Sequence, residues 1–380
     1  MEGFIIALFV CLVLALITKY LSIPAIPFYI LAGVVLGKAG LGIVQSNEIS
    51  HFFSEMGLIF LLFFMGLSLK PERIAANRSA VLTSGIIDLN VNMLLGFAGA
   101  YLLGFSIAES LIVASAFYIS SSAMAITSLV ENRKLMLRES ETVIWLMVFE
   151  DLVLIVIFAV LSAGDKNLIE FFAKILIVLG LLYLLASYGK EFLVSILDRD
   201  DELPILFTFA AVLTTASLAL VLQVPETMIV IALGMAFATT DPDAFEQHAR
   251  PFKDVFLVIF FVFFGVTIDF SGGADWFIIT AICILALLSK LISGLLTGLM
   301  IHGSALSGIE IWANTTSRGE FSIALAVLYG SPLVATTIAV MVIVTSIVGS
   351  FAGKYSTWMR RGIVTRSRRK ALMHRPHAGR

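Results

Sequence analysis

Two adjacent carboxylates, Glu150 and Asp151, lie near the middle of an apolar stretch of the chain. A carboxylate at the centre of a lipid bilayer costs ~2.5–3.5 kcal/mol on insertion scales. A second carboxylate beside it raises that cost, because like charges disfavour joint ionisation. Packing alone does not account for such a pair. The two residue types therefore predict a site that binds a monovalent cation, a proton, or each in turn.

Three further charged residues lie near the centres of apolar stretches: Lys290 in one, Arg318 and Glu320 in another. Long basic side chains reach the membrane interface only near helix ends, and these ends are ~15 Å away at 1.5 Å per residue. We therefore expect charge pairs inside the protein. Arg318 and Glu320 are predicted to pair and to brace their segment without touching the ion.

Adjacent helical positions point about 100° apart, so Glu150 and Asp151 cannot face one partner equally. If Asp151 faces the ion, Glu150 is expected to pair with Lys290. Cation binding could break that pair and release a proton from Lys290, which would give two protons per cation. If the pair stays closed, exchange is one for one. The central depth of Lys290 favours the two-proton cycle.

Oxygen-bearing side chains accompany these charges. Hard cations prefer oxygen ligands, and the hydroxyls of Ser121 and Ser122 are candidates alongside Asp151. In another segment, Asp88, Asn90 and Asn92 are candidates to line the ion site. Polar contacts between helices are an equally good explanation for the two asparagines.

The composition is that of a membrane protein: 59% of the residues are hydrophobic and 14% are charged, with a mean hydropathy of +1.01. Apolar runs long enough to cross or nearly cross ~30 Å of hydrocarbon recur along the whole chain. The pattern predicts an all-α polytopic membrane protein with about thirteen segments, near residues 3–20, 27–45, 50–68, 80–104, 106–130, 141–163, 168–188, 204–222, 225–239, 255–270, 276–300, 309–329 and 333–352.

Basic residues concentrate in alternate loops and in the tail. Cytoplasmic loops are enriched in Lys and Arg, so the pattern predicts an external N-terminus and a cytoplasmic C-terminus in the cell membrane. The loop residues that carry this prediction are Lys70, Arg73, Arg78, Arg133, Lys134, Arg138, Lys190, Arg199, Arg250 and Lys253.

Two segments contain sequences that weaken a helix. Hydroxyls at 120–122 compete for backbone groups, and Ser317-Arg318-Gly319 combines polar residues with a flexible glycine. The two breaks are an odd number of segments apart, so segments four to six and eleven to thirteen would be inverted repeats. Matching broken helices in two halves point to the site of a secondary transporter.

At these residues the chain resembles the second monovalent cation:proton antiporter family, which exchanges Na⁺ or K⁺ for H⁺. The resemblance covers nearly the whole chain. Asp151 matches the family's ion- and proton-binding aspartate. Lys290 resembles the lysine that pairs with the preceding acid in the sodium-exporting members of the family. The motifs, in family order, are Gly66 to Pro71, Ser120 to Ala123, Glu150-Asp151, a Pro251-to-Phe256 loop before Phe260 to Gly265, and Arg318 to Phe321.

The resemblance implies the sodium/proton antiporter fold, in which the two broken helices cross at mid-membrane, and elevator-type alternating access. Residues 80–163 and 276–352 would form the transport core, and residues 1–79 and 204–275 a scaffold that forms a homodimer. Residues 164–203 would link the two, and residues 353–380 would form a basic cytoplasmic tail.

The predicted function is thus exchange of Na⁺ or K⁺ for H⁺, with both competing for Asp151 and with no cofactor. The alternatives are a K⁺/H⁺ efflux exchanger regulated by a separate cytoplasmic subunit and a non-transporting ion sensor. A channel needs a continuous polar file, and a membrane enzyme needs a nucleophile–base pair or metal ligands; neither pattern is present, so we expect no enzyme activity.

Overall fold

The computed structural model describes residues 2–21, 25–45, 47–68, 78–163, 168–222, 224–268, 270 and 275–373. Within these ranges the chain forms α-helices joined by turns and irregular stretches, with no β-strand. The helices are α1 (Glu2–Leu21), α2 (Ile26–Leu36), α3 (Glu48–Ser68), α4 (Arg78–Leu102), α5 (Ile107–Tyr118), α6 (Ser122–Glu131), α7 (Arg138–Ala163), α8 (Leu168–Tyr188), α9 (Lys190–Leu197), α10 (Leu203–Leu222), α11 (Glu226–Ala238), α12 (Pro242–Thr267), α13 (Trp276–His302), α14 (Ala305–Thr315), α15 (Glu320–Tyr329) and α16 (Pro332–Met373).

Every predicted segment overlaps one of these helices or a consecutive pair. By length and apolar composition, seven helical stretches of the described chain can cross a membrane, or up to eight if α8 and α9, which are bent by 67°, form one span. Several others, such as α2 with 11 residues, are too short to cross alone. The all-α multi-pass fold is confirmed, and the count of thirteen spans stays a prediction.

The predicted boundaries of segments two and ten were wrong. Helix α2 ends at Leu36, after which the chain turns through Gly42 in the left-handed region, with φ +68°. Helix α12 begins at Pro242 because the Asp241 side chain accepts a hydrogen bond from the Ala244 amide, 3.0 Å away. Pro251 therefore lies inside a helix and not in a loop. Proline cannot donate the usual backbone bond there, but it does not end this helix.

Two close glycine contacts relate the two halves of the chain. A Cβ atom on Gly33 of α2 would lie 2.9 Å from the Cα atom of Gly265 on α12, and one on Gly66 of α3 would lie 2.9 Å from that of Gly234 on α11. If α1–α3 and α10–α12 are taken as equivalent groups of three, each contact joins the second helix of one group to the third helix of the other. Small residues permit such backbone approach in membranes, and the matched pairs indicate an internal repeat.

The helices around the charged residues form a second group of contacts. Helix α4 packs on α5, α7 and α13, while α13 packs on α14 and α16. Helix α16 also contacts α5, α6 and α15. These contacts bring the broken segments α5–α6 and α14–α15 together with the side chains of α4, α7 and α13.

Candidate functional site

Both predicted helix breaks are present. Helix α5 ends at Tyr118 and α6 begins at Ser122, while α14 ends at Thr315 and α15 begins at Glu320. Each break leaves three or four residues in a non-helical conformation. Because no lipid-exposed backbone can remain unpaired at this depth, the freed amides and carbonyls must find partners within the protein.

The two breaks cross and satisfy one another. The Ser121 amide donates to the Ser317 carbonyl oxygen at 2.8 Å, and the Ser120 hydroxyl lies 2.9 Å from the Thr315 carbonyl oxygen. A Cβ atom on Gly319 would lie 2.6 Å from the Ser121 Cβ atom. Only glycine permits this approach, so the second break needs a glycine at 319 to pack against the first break.

The predicted pairing of Arg318 with Glu320 was wrong. The buried guanidinium donates instead to three backbone carbonyls: that of Phe117 at 2.7 and 3.1 Å, that of Thr316 at 2.6 Å and that of Ala286 at 3.2 Å. Phe117 and Thr316 lie at the C-terminal ends of α5 and α14. A helix C-terminus carries partial negative charge and free carbonyls. The backbone exposed by the breaks therefore takes the place of the expected carboxylate.

Glu320 begins α15, where a helix N-terminus favours a negative charge. Its Oε2 atom accepts a hydrogen bond of 3.2 Å from the Ser121 hydroxyl, across the crossing. Glu320 thus lies on the side of the crossing where the positive helix ends meet.

Glu150 is completely paired. Its Oε1 atom accepts a hydrogen bond of 2.7 Å from the Lys290 ammonium, and its Oε2 atom accepts one of 2.6 Å from the Ser120 amide. The structure therefore contains the expected contact between Glu150 and Lys290. The Tyr118 ring, whose centroid is 5.8 Å from Lys290 Nζ, covers the same ammonium group.

Asp88 is a second carboxylate on the same lysine, which the sequence reasoning missed. Its Oδ2 atom lies 2.7 Å from Lys290 Nζ, and its Oδ1 atom accepts from Ser293 and Asn92 at 2.5 and 2.9 Å. Ser289 in turn donates to Asn92 at 2.8 Å. The matched four-residue spacings, Asp88 to Asn92 and Ser289 to Ser293 around Lys290, were the signal that could have predicted this network.

Asp151 differs from its neighbour. It is partly exposed, and no hydrogen bond or ion pair joins its carboxylate to any other described residue. Glu150, one position earlier, is 1% exposed and fully satisfied. A carboxylate held this deep without a protein partner is able to accept one from solution.

Two other candidates do not join the network. The Asn90 amide is exposed and donates to the carbonyl of Ile86 on its own helix, 2.8 Å away. Its predicted place in the lining was therefore wrong, since it lies on the opposite face of α4 from Asp88 and Asn92. Ser122 is partly buried as the first residue of α6, and its role as a ligand stays a prediction.

Some sequence predictions fall outside the described residues. Lys70, Arg73 and Pro71 lie in the range 69–77, and the side chain of Arg78 is likewise not described. The basic side chains of the tail after Arg360 are also outside the description, although the backbone of α16 continues to Met373.

The site and fold agree with comparisons to known proteins. The profile of the family described as sodium/hydrogen exchanger, transmembrane, matches residues 5–355. The chain belongs to this family. Family membership makes it a multi-pass membrane protein and a monovalent cation:proton exchanger; the family and the fold are those of transporters.

Among curated proteins, this exchanger is 32% identical to the K⁺/H⁺ antiporter subunit KhtU of Bacillus subtilis, with 92% of each chain covered. It is 27% identical to the ammonium/H⁺ antiporter subunit AmhT of Alkalihalophilus pseudofirmus, over 87% of this chain and 86% of that protein. It is 25% identical to the Na⁺/H⁺-K⁺ antiporter GerN of Bacillus cereus, over 88% and 90%.

Among solved structures, this exchanger is similar to the sodium proton antiporter MjNhaP1 of Methanocaldococcus jannaschii. The TM-score is 0.68 at 18% sequence identity, with 94% of this chain and 96% of that chain covered. The similarity at this level of identity concerns the fold, and it confirms the predicted sodium/proton antiporter fold.

Proposed function

We propose that this chain exchanges Na⁺ or K⁺ for H⁺ by alternating access, and that both substrates compete for the carboxylate of Asp151. The observation that carries the proposal is the contrast between two neighbouring acids. Glu150 is held by Lys290 and Ser120, whereas Asp151 has no partner among the described residues. The competing substrates supply the missing positive charge.

Exchange follows from occupancy of one group by one substrate at a time. An ionised carboxylate at this depth is unfavourable without a counter-charge. Either a proton or a dehydrated cation neutralises Asp151, and one must leave before the other binds. The hydroxyls of Ser121 and Ser122 are proposed as further oxygen ligands, since hard cations prefer oxygen. No cofactor takes part in such a cycle.

Ion identity is proposed only as Na⁺ or K⁺. The similarity of Lys290 to the lysine of sodium-exporting family members favours Na⁺. The names of the relatives include K⁺/H⁺, ammonium/H⁺ and Na⁺/H⁺-K⁺ antiporters, which supports testing K⁺ and ammonium beside Na⁺.

The surrounding assembly is proposed from the sequence and the relatives. The chain would lie in the cytoplasmic membrane with its N-terminus outside, and residues 1–79 and 204–275 would form a homodimer around the moving core. KhtU and AmhT are both named as antiporter subunits. Their names support the coarser proposal that this chain works with a further subunit, and we propose that this subunit is cytoplasmic and regulates K⁺/H⁺ efflux.

A flux measurement tests the proposed exchange. The purified full chain is reconstituted in sealed vesicles that contain a pH-sensitive dye, and Na⁺, K⁺, NH₄⁺ or choline is added outside over a pH series. We expect Na⁺ or K⁺, but not choline, to drive proton movement out of the vesicles. Flux that needs no counter-cation would indicate a channel, and no flux with any cation would favour the ion sensor.

A further inference from the structure

Some of the carboxylates near the crossing have a buried basic partner and others have none. Among the described residues there, the fully buried basic side chains are Lys290 and Arg318, each 0% exposed. Lys290 contacts Asp88 and Glu150 at 2.7 Å each. The guanidinium of Arg318 donates to backbone carbonyls. Neither cation forms an ion pair with Asp151 or Glu320 among the described residues.

Other paired basic groups of the described chain do not change this balance. Lys134 lies at the end of the segment that follows the first break, where it contacts Glu310 at 2.5 Å. Arg360, whose side chain is 28% exposed, contacts Glu139 in the first turn of α7 at 2.9 Å. Each of these cations has its own carboxylate.

Asp151 and Glu320 are thus left without a basic partner among the described residues. Glu320 is 9% exposed and receives one neutral hydrogen bond, from Ser121 at 3.2 Å. Asp151 directly follows Glu150, which accepts from the Ser120 amide at 2.6 Å, so Asp151 and Glu320 both lie beside the first break. Two ionised carboxylates in this arrangement repel each other in a medium of low dielectric constant. One monovalent cation between them removes most of that repulsion.

We propose that Glu320 is the second carboxylate of the exchange site and coordinates the cation together with Asp151 and the hydroxyl of Ser121. The N-terminal ends of α6 and α15 lie close together, because Ser121, the N-cap of α6, donates to Glu320, the first residue of α15. The partial positive charge of these ends favours negative charge there before the cation binds. This assignment rests on the proposed function of Asp151. It replaces the structural role that the sequence suggested for Glu320.

The assignment is tested by cation binding at fixed pH, measured as the rise in melting temperature of the detergent-purified full chain with Na⁺ or K⁺ concentration. A ligand that binds only the folded state raises the melting temperature according to its dissociation constant. Glu320→Gln keeps the side-chain length and an oxygen that accepts from Ser121, but removes the charge. Glu246→Gln, at an exposed position of α12, is the matched control.

We expect Glu320→Gln to melt near the wild-type temperature without cation, yet to need about tenfold more cation or greater for half of the shift. A neighbouring charge in contact with a carboxylate changes its proton affinity by about tenfold or more, and we expect a similar effect on cation affinity. Glu320→Asp should recover part of the affinity, and Glu246→Gln should match wild type. If Glu320→Gln lowers the cation-free melting temperature and leaves the cation midpoint unchanged, Glu320 is a brace and the assignment is wrong.

The same variant in the vesicle assay separates this inference from the function on which it rests. We expect Glu320→Gln to raise the cation concentration for half-maximal proton flux by a similar factor. If Glu320→Gln leaves the half-maximal concentration unchanged while Asp151→Asn abolishes flux, the proposed role of Glu320 is wrong and the proposed function stands. Flux that survives Asp151→Asn would overturn the proposed function itself.

Discussion

The amide of Ser121 donates to the carbonyl oxygen of Ser317 at 2.8 Å, which joins the two broken helices at their centres. The crossing separates the free backbone groups by sign. Arg318 binds carbonyls at the negative helix ends, while Glu320 lies at a positive end. The breaks therefore favour a fixed cation at the negative helix ends and a carboxylate at the positive ones.

The first prediction concerns Arg318. Its removal takes away the guanidinium that donates to the carbonyls of Phe117 and Thr316 at the helix ends, and each unsatisfied buried group costs ~1–3 kcal/mol. We expect Arg318→Ala to lower the melting temperature and the yield of folded protein, and Arg318→Lys to restore only part of both, because one ammonium group cannot reach all three carbonyls that the guanidinium contacts. Thermal unfolding in detergent is the measurement. A normally stable Arg318→Ala protein with altered cation selectivity would place Arg318 in the ion site instead.

The second prediction concerns Lys290, which holds two carboxylates. Lys290→Gln leaves Asp88 and Glu150 facing each other, and breaking a buried pair in this way typically costs ~3–5 kcal/mol. Glu150→Gln should cost less, because Lys290 keeps its 2.7 Å contact with Asp88. Thermal unfolding of the two single variants gives the order. Equal stability losses would mean that Asp88 does not help to balance the lysine.

The third prediction concerns the close approach at Gly319. A methyl group there would meet the Ser121 Cβ atom at 2.6 Å, so Gly319→Ala must push the two breaks apart. We expect Gly319→Ala to lower both stability and exchange. Gly180→Ala is the matched control, because a Cβ atom at Gly180 meets nothing within 4 Å. Wild-type flux by Gly319→Ala would show that exchange does not need this crossing geometry.

Much of the site could be predicted from residue types and depth. The contact between Glu150 and Lys290 follows from the need of each buried charge for a counter-charge, and both breaks follow from their hydroxyl- and glycine-rich sequences. The general fold follows from the apolar runs. These features depend on local composition, which the sequence records directly.

The partner of Arg318 could not be predicted in the same way. A nearby carboxylate, Glu320, offered an obvious pair, whereas the actual acceptors are carbonyls of Phe117, Thr316 and Ala286. The carbonyls of Phe117 and Thr316 are available because their helices end there, whereas the carbonyl of Ala286 lies within α13. Which carbonyls meet the guanidinium depends on the tertiary arrangement. The contact of Asp88 with Lys290 also depends on the packing of α4 on α13, which only the matched spacings of the polar residues on the two helices indicate in the sequence.

The fourth prediction concerns stoichiometry. The sequence favoured a cycle in which Lys290 releases a proton when its pair with Glu150 opens. Because Asp88 also contacts the ammonium group at 2.7 Å, Lys290 keeps a counter-charge in either case, and the structure reverses that preference. We expect one proton per cation. The measurement imposes a membrane potential on vesicles with balanced ion gradients, and net cation movement driven by voltage would contradict one-for-one exchange.

The central claim is that Asp151 binds the cation and the proton in turn. Asp151→Asn removes the ionisable group and nearly preserves the side-chain volume, and Asp254→Asn on an exposed surface of α12 is the control, since Asp254 is 58% exposed. Both proteins are expected to fold and insert as wild type does. In vesicles given Na⁺ or K⁺ outside, Asp151→Asn should show no cation-driven proton flux, while Asp254→Asn should match wild type. Flux near the wild-type rate in Asp151→Asn would contradict the account.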